Sequence, residues 1–296
     1  MNLKELISLS FHFARYKPGV QRDQFLRIYA FEKMLNLPIV YTDQQDLRYV
    51  LYPGQNAEIY FQNQGNYEVS ETRFCINHIQ PGMVIFDVGA NIGLYTLLFA
   101  KLAGLTGSVH TFEPDIKNYR RLCANIYLNG FEDVVKVNRR AVFSRSQIVK
   151  LNTFPDSVNA WHTLGNLELP DPWNTGKTIK PSSIQEIEAV SLDDYCHNNG
   201  INHVDFLKVD VEGAELDVLQ GATNLFHAGK IKCVMFEISL PQIQGMGHSP
   251  EDLYHFFHEH GYDIYQILTD GSISKILETK LGLYQNFVAM KNSENQ

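Results

Sequence analysis

Met83-Val-Ile-Phe-Asp-Val-Gly-Ala-Asn-Ile-Gly-Leu-Tyr95 is the stretch from which the rest of the chain is read. Val84 to Val88 is an apolar, β-branched run with an acid inside it, and Leu94-Tyr-Thr-Leu-Leu-Phe-Ala100 has the spacing of a buried helix. Between them Gly89-Ala-Asn-Ile-Gly93 makes a glycine turn, giving strand, turn and helix. Glycines at 89 and 93 allow close backbone approach to a ligand. The helix start offers unpaired N–H groups at the strand's carboxyl end, where open α/β sheets bind ligands.

The spacing selects among ligands. A dinucleotide fold uses G-x-G-x-x-G to seat a pyrophosphate on the helix dipole, whereas this chain has Asp87-x-Gly89-x-x-x-Gly93 and lacks the middle glycine. A second strand, Ser108-Val-His-Thr-Phe-Glu113, ends in a carboxylate before Pro114, placed to accept both hydroxyls of a ribose. Together they point to a nucleoside without a pyrophosphate.

Three motifs, Asp87-Val-Gly-Ala-Asn-Ile-Gly93, Phe112-Glu-Pro114 and Val204-Asp-Phe-Leu-Lys-Val-Asp-Val-Glu-Gly-Ala-Glu215, resemble in content and order the FkbM family of S-adenosylmethionine-dependent methyltransferases. The resemblance covers about residues 66–240, and its third motif is the most specific. It implies S-adenosyl-L-methionine as cofactor and a class I, Rossmann-like fold: a doubly wound, mostly parallel seven-stranded sheet. It also implies contacts to the cofactor from Asp87, Gly89, Ala90, Asn91, Gly93 and Glu113, and an adenine contact from Ala141 at the end of strand three. In the family a Tyr-Glu pair lies close to the cofactor, so Glu68 is a candidate for its ammonium. A helix-start glutamate favoured by the dipole is the other reading of Glu68.

With 296 residues, 44% hydrophobic and 12% aromatic, the chain can bury a substantial core. No apolar run reaches the roughly 18 residues of a membrane span, and Met1-Asn-Leu-Lys-Glu-Leu-Ile7 has charges where a signal peptide would be apolar, so the cytoplasm is the expected location. A net charge of −8 disfavours a nucleic-acid partner. Cys75, Cys123, Cys196 and Cys233 show no C-x-x-C pairing and read as reduced, buried thiols.

Two domains are expected, an amino-terminal extension over 1–64 and a methyltransferase domain over 65–296. The extension reads as helices over 3–16 and 22–36 with Pro18-Gly19 between them, then short strands at 38–41, 48–52 and 57–61. Packing or a homodimer contact is the leading role for it, ahead of a lid. A helix follows over 69–80, and further helices over 115–129, 192–197, 215–226 and 250–260. Remaining strands are expected at 134–138, 204–211 and 233–238, with a last pair at 262–268 and 283–290 joined through Asp270-Gly271.

An insertion over 144–190 interrupts this order, with Ile184 to Val190 expected to pair with Ile148-Val-Lys-Leu151. Its prolines and two tryptophans suit a functional loop, and Asn159-Ala-Trp-His-Thr163 is the candidate acceptor contact, Trp161 as a wall and His162 as a possible base. Asp210 and Glu212, at the carboxyl end of strand four, are the other candidate bases. Their structural reading is an Asp210–Lys208 pair and a Glu212 helix cap. Glu237 ends the next strand, and a magnesium ion on Asp210 and Glu237 is conceivable, but the sequence has no dedicated metal signature and none is expected.

A sulfonium methyl is already activated, so the protein must align the acceptor and exclude water. The expected activity is methyl transfer to an oxygen, hydroxyl or carboxylate, of a small molecule, sugar or peptide-derived natural product. The alternatives are a nicotinamide-dependent oxidoreductase, opposed by the missing glycine, and a non-catalytic nucleoside-binding module.

Overall fold

A computed structural model describes residues 38–51, 67–154, 161–165, 169–170, 178–276 and 284–292. The expected helices at 3–16 and 22–36, the strand at 57–61 and residues 159–160 of the acceptor segment lie outside them.

In chain order the strands are β1 (Ile39–Thr42), β2 (Arg48–Leu51), β3 (Val84–Val88), β4 (Ser108–Phe112), β5 (Val135–Asn138), β6 (Ala141–Val142), β7 (Gln147–Thr153), β8 (Leu169–Pro170), β9 (Thr178–Ile179), β10 (Ser183–Val190), β11 (Val204–Val209), β12 (Ile231–Ser239), β13 (Tyr262–Ile267), β14 (Ile273–Lys275) and β15 (Tyr284–Lys291). The helices are α1 (Val69–His78), α2 (Leu94–Ala103), α3 (Ile116–Asn129), α4 (Leu192–Asn199), α5 (Glu215–Gln220), α6 (Thr223–His227), α7 (Leu240–Gly245) and α8 (Pro250–Glu259).

The main sheet runs β14-β13-β15-β12-β11-β3-β4-β5. From β5 to β12 neighbours are parallel, and β15 enters antiparallel between β12 and β13. The chain winds one way from β3 to β5 and the other way from β11, so the crevice between β3 and β11 opens at the strands' carboxyl ends. Alternation in β3 decides the layers. Ile85 joins α1, α2 and α3 in one core, while Phe86 and Val88 join α4, α5, α6 and α8 in the other. Seven of the ten residues of α2 are buried, among them Leu97, Leu98 and Phe99, and each such side chain contributes about 1.5–3 kcal/mol on leaving water.

The doubly wound sheet matches the expectation, with local differences. Among the described residues the sheet has eight strands: beyond the expected seven, Asp270-Gly271 turns the chain into β14, which pairs antiparallel with β13. The helix expected over 215–226 is two helices. The Gly221 carbonyl accepts from the Asp193 N–H, and the Asp193 carboxylate accepts from the Asn224 and Leu225 N–H groups, so α6 starts anew with its own cap. The insertion pairs as expected, β10 running antiparallel to β7 with Ile184 opposite Asn152 and parallel to β6 on its other edge. Cys75, Cys196 and Cys233 are buried and Cys123 is half-buried, all four as free thiols. Among the described residues no helix is long and apolar enough to cross a membrane.

Candidate active site

A cavity of about 280 Å³ lies at the carboxyl ends of β3, β4, β11 and β12. Register places its central charges. Asp87 of β3 is the cross-strand partner of Lys208 on β11, and both are buried. Lys208 Nζ lies 2.9 Å from Asp210 Oδ2 and 4.0 Å from Asp87 Oδ1, over the Tyr95 ring. Burial alone opposes that charge, but the Asp210 and Asp87 carboxylates raise the Lys208 pKa.

Asp87 accepts from the Thr96 hydroxyl at 2.5 Å through Oδ2, while its buried Oδ1 has no hydrogen-bond partner in the protein. Burial raises its pKa, against the pull of Lys208. A fully buried carboxylate oxygen left open at a cavity wall calls for a donor or a cation from a ligand.

The glycine turn divides into two roles. Gly89 has φ 82°, and a Cβ there would fall 1.7 Å from the Asp210 carbonyl oxygen, so only glycine lets β3 turn against β11. Ala90 and Asn91 line the cavity. Gly93 does not: it precedes α2 at φ 94°, where a Cβ would come 2.6 Å from Leu122 Cδ1. There its missing Cβ leaves room for Leu122 of α3.

Glu113 is buried behind the turn. Its Oε2 accepts from the Asn91 N–H at 2.8 Å and its Oε1 from the Asp115 N–H at 2.9 Å. Burial pushes its pKa up to about 8, against those two bonds. Each oxygen keeps a lone pair free for a ribose hydroxyl. Ala141 lines the same cavity, with Asn118 and Arg121 of α3 and Arg140 beside it.

Glu68 precedes α1 in the left-handed region at φ 41° and makes no capping bond to the helix. Instead it accepts from the Tyr95 hydroxyl at 2.5 Å. Burial, then the charge of Asp210, pushes its pKa up to about 7. The dipole reading of Glu68 therefore gives way to a side chain that faces the cavity.

One residue beyond the paired Val209 and Phe236 come Asp210 and Glu237. With Glu212 they form a cluster whose carboxylate oxygens lie within 4.8 Å of one another. Glu212 sits at φ 55°, held by the Thr163 hydroxyl on its carbonyl at 2.6 Å and by Gln242 Nε2 on its Oε2 at 3.1 Å. Its expected capping role falls to Glu215, whose Oε1 accepts from the Val211 and Gly213 N–H groups. Burial and the charge of Asp210 raise the pKa values of both Glu212 and Glu237 well above the usual range. Oxygen donors of this kind also suit a divalent cation.

The insertion closes the other side. Thr163 pairs with Asn152 of β7, and Trp161, His162 and Leu164 line the cavity. His162 Nδ1 accepts from the Phe154 N–H at 3.1 Å, which puts the neutral ring's proton on Nε2. In that tautomer the His162 Nε2–H is a hydrogen-bond donor.

Thus the structure gathers Glu68, Asp87, Gly89, Ala90, Asn91, Glu113, Ala141, His162, Asp210 and Glu212 around one cavity, with Gly93 outside its lining. Sequence reasoning gave no site role to Lys208 or Tyr95, nor to Val50 and Leu51 of the hairpin, which also line it. The Lys208–Asp87 register was available from strand periodicity; the hairpin carries no local signal.

The methyltransferase FkbM domain, as a family model, matches residues 87–264. The chain is 32% identical over 178 residues to the 31-O-demethyl-FK506 methyltransferase FkbM of Streptomyces tacrolimicus, covering 52% of this chain and 66% of that protein. It is 25% identical to the hexuronic acid methyltransferase AglP of Haloferax volcanii over 56% of this chain and 60% of the relative. To the 2-O-methyltransferase NoeI of Sinorhizobium fredii it is 26% identical, over 48% and 58%. The chain therefore spans about three fifths of the length of these relatives. A crystal structure of the methyltransferase FkbM from Methylobacillus flagellatus KT aligns with 71% of this chain and 43% of its own, with a TM-score of 0.43 and 16% identity. The family match runs from the acid of the glycine turn, through Glu113 and the three clustered carboxylates, into β13, so the chain belongs to the FkbM methyltransferase family.

Proposed function

We propose that this chain is an S-adenosylmethionine-dependent O-methyltransferase acting on a hydroxyl of a sugar or other small natural product. The observation that carries the reading is the charge of the cavity: Glu68, Asp87, Asp210, Glu212 and Glu237 line it, with Lys208 among them. A wall of carboxylates with an unpartnered buried oxygen at Asp87 suits a ligand with two cationic groups, an ammonium and a sulfonium. The same wall repels a pyrophosphate, which counts against a nicotinamide dinucleotide.

In this reading Glu113 holds the ribose, Ala141 borders the adenine, and Glu68 and Asp87 face the ammonium. When bound, the cofactor supplies a methyl group on a positively charged sulfur. Asp210, fixed by Lys208 at 2.9 Å, places a negative charge beside that sulfur. Glu212 takes the proton of the acceptor hydroxyl. Its left-handed backbone is kept by bonds from Thr163 and Gln242, and such strain is retained where surrounding contacts fix it. Beside the sulfonium of a bound cofactor the ionised form of Glu212 is favoured, and burial, which favours the protonated form, makes that carboxylate the stronger proton acceptor. His162 Nε2–H orients the acceptor and Trp161 flanks it.

A carboxylate acceptor would enter a field of like charge, which is why a hydroxyl is preferred. The relatives named for 31-O and 2-O methylation agree with that preference. The test is incubation with isotopically labelled S-adenosylmethionine and panels of hydroxyl and carboxylate acceptors, with products read by mass. Ethers on hydroxyl acceptors support the reading; methyl esters alone, or cofactor binding without turnover on any acceptor, sink it.

A further inference from the structure

The hairpin strand β2 bonds β1 along one edge. Its other edge is met by two side chains of α3. Asn129 accepts from the Arg48 N–H at 2.9 Å and donates to the Arg48 carbonyl at 2.7 Å. One helical turn earlier, Asn125 accepts from the Val50 N–H at 2.8 Å. Residues four apart share a helix face, so the two asparagines stand in for a third strand and leave fewer buried edge groups unpaired.

Asn125 makes one contact that Asn129 lacks. Its Nδ2 donates at 2.8 Å to the carbonyl of Ile92, inside the glycine turn. The Asn125 side chain is fully buried, and Ile92, Val50 and Leu51 all line the cavity. Next to Ile92, the Asn91 N–H is the group held by Glu113. One amide side chain, donating to the turn and accepting from the hairpin, thus fixes the spacing of two cavity walls.

We propose that Asn125 is a positioning residue of the cofactor site, tying the glycine turn to the amino-terminal hairpin and making that hairpin a wall of the site. The proposal rests on the reading that the cavity holds S-adenosylmethionine. Its consequence is that the extension, expected from sequence to serve packing or dimerisation, takes part in cofactor binding.

The experiment titrates S-adenosylhomocysteine into the wild type, Asn125→Asp, Asn125→Leu and Asn129→Leu by calorimetry, with thermal melts of each. Asn125→Asp keeps the acceptor for Val50 and loses the donor to Ile92. Asn129→Leu removes the bonds to Arg48 and touches nothing in the turn. Asn125→Asp should bind about tenfold more weakly, the effect of one lost buried hydrogen bond, and Asn125→Leu, which loses both bonds, at least about as much. Asn129→Leu should bind within about twofold of wild type even where its melting temperature falls as far. Wild-type affinity in Asn125→Asp overturns the proposal, and so does an equal affinity loss in Asn129→Leu, which would mark general destabilisation. Should Asn125→Leu fail to fold, the aspartate variant and the control decide. Failure of the cofactor reading itself shows differently, as absence of binding by the wild type.

Discussion

Replacing Glu68 by Gln removes one negative charge from the cavity with little change of shape. The carboxylate accepts from the Tyr95 hydroxyl at 2.5 Å, a bond that the Gln carbonyl can also accept. What is lost is the charge facing the ligand's ammonium. A hydrogen bond to a charged group is worth about 1.5–3 kcal/mol, so affinity for S-adenosylmethionine at pH 8 should fall roughly ten- to a hundredfold. The dependence on pH has a definite sign. Burial and Asp210 bring Glu68 to about 7, and the cation binds its ionised form. Wild-type affinity should therefore drop by on the order of tenfold from pH 8 to pH 6, while the variant lacks this step. In the free protein the sign reverses. A carboxyl raised from 4.5 to about 7 by folding contributes its stability below the lower value and loses it as pH rises through the upper one. The free variant should match the wild type in melting temperature at pH 4.5 and exceed it at pH 8. Calorimetric titrations at pH 6, 7 and 8 with paired melts measure both effects. A variant that binds as tightly as wild type at pH 8, or with the same deficit at pH 6, refutes the placement of Glu68 against the ammonium.

Three further outcomes follow from the same geometry. Glu212→Gln should lower kcat on a hydroxyl acceptor on the order of 10²–10⁴-fold with cofactor affinity within about threefold of wild type; a small change in kcat would move the base elsewhere in the cluster. Glu113→Ala should weaken S-adenosylhomocysteine binding at least about tenfold, as two ribose bonds and the anchor of Asn91 are lost together; unchanged affinity removes Glu113 from the ribose. Dialysis against a chelator should leave turnover unchanged if the clustered acids serve proton transfer. Loss of activity restored by magnesium would assign Asp210, Glu212 and Glu237 to a metal instead.

Much of this site was legible because a parallel sheet concentrates chemistry at the ends of its strands, and strand ends can be found from hydrophobic runs. Asp87, Glu113, Asp210 and Glu237 all sit in or just beyond such runs. What escaped the sequence depends on contacts across distance. The carboxyl at 68 could be placed at a helix start, but only the Tyr95 hydroxyl shows that it turns inward and away from the helix dipole. His162 could be placed in a loop, but its tautomer depends on the Phe154 N–H, eight residues back. The pair of helices at 215–227 depends on Asp193 of the adjacent α4, some thirty residues earlier in the chain, whose carboxylate caps α6. Gly93 shows the converse, since a motif glycine suggests a ligand while its position also faces Leu122 of the neighbouring helix.

The same contrast explains the use of so many acids in one place. Setting Asp87 and Asp210 around the buried Lys208 balances part of the charge, but Glu68, Glu212 and Glu237 add more carboxyls than that ammonium can neutralise. An uncompensated buried charge is costly, so the free protein relieves the excess by holding protons on these groups, as their raised pKa values indicate. A cationic ligand removes the reason for holding those protons, so its binding should release protons to solvent, that of Glu68 near pH 7. Methyl transfer then discharges the sulfur, leaving a neutral thioether among acids that no longer meet a positive charge. The cavity should accordingly hold S-adenosylmethionine more tightly than its demethylated product at pH 8. Equal affinity for the two at that pH would mean that the carboxylates do not face the sulfur.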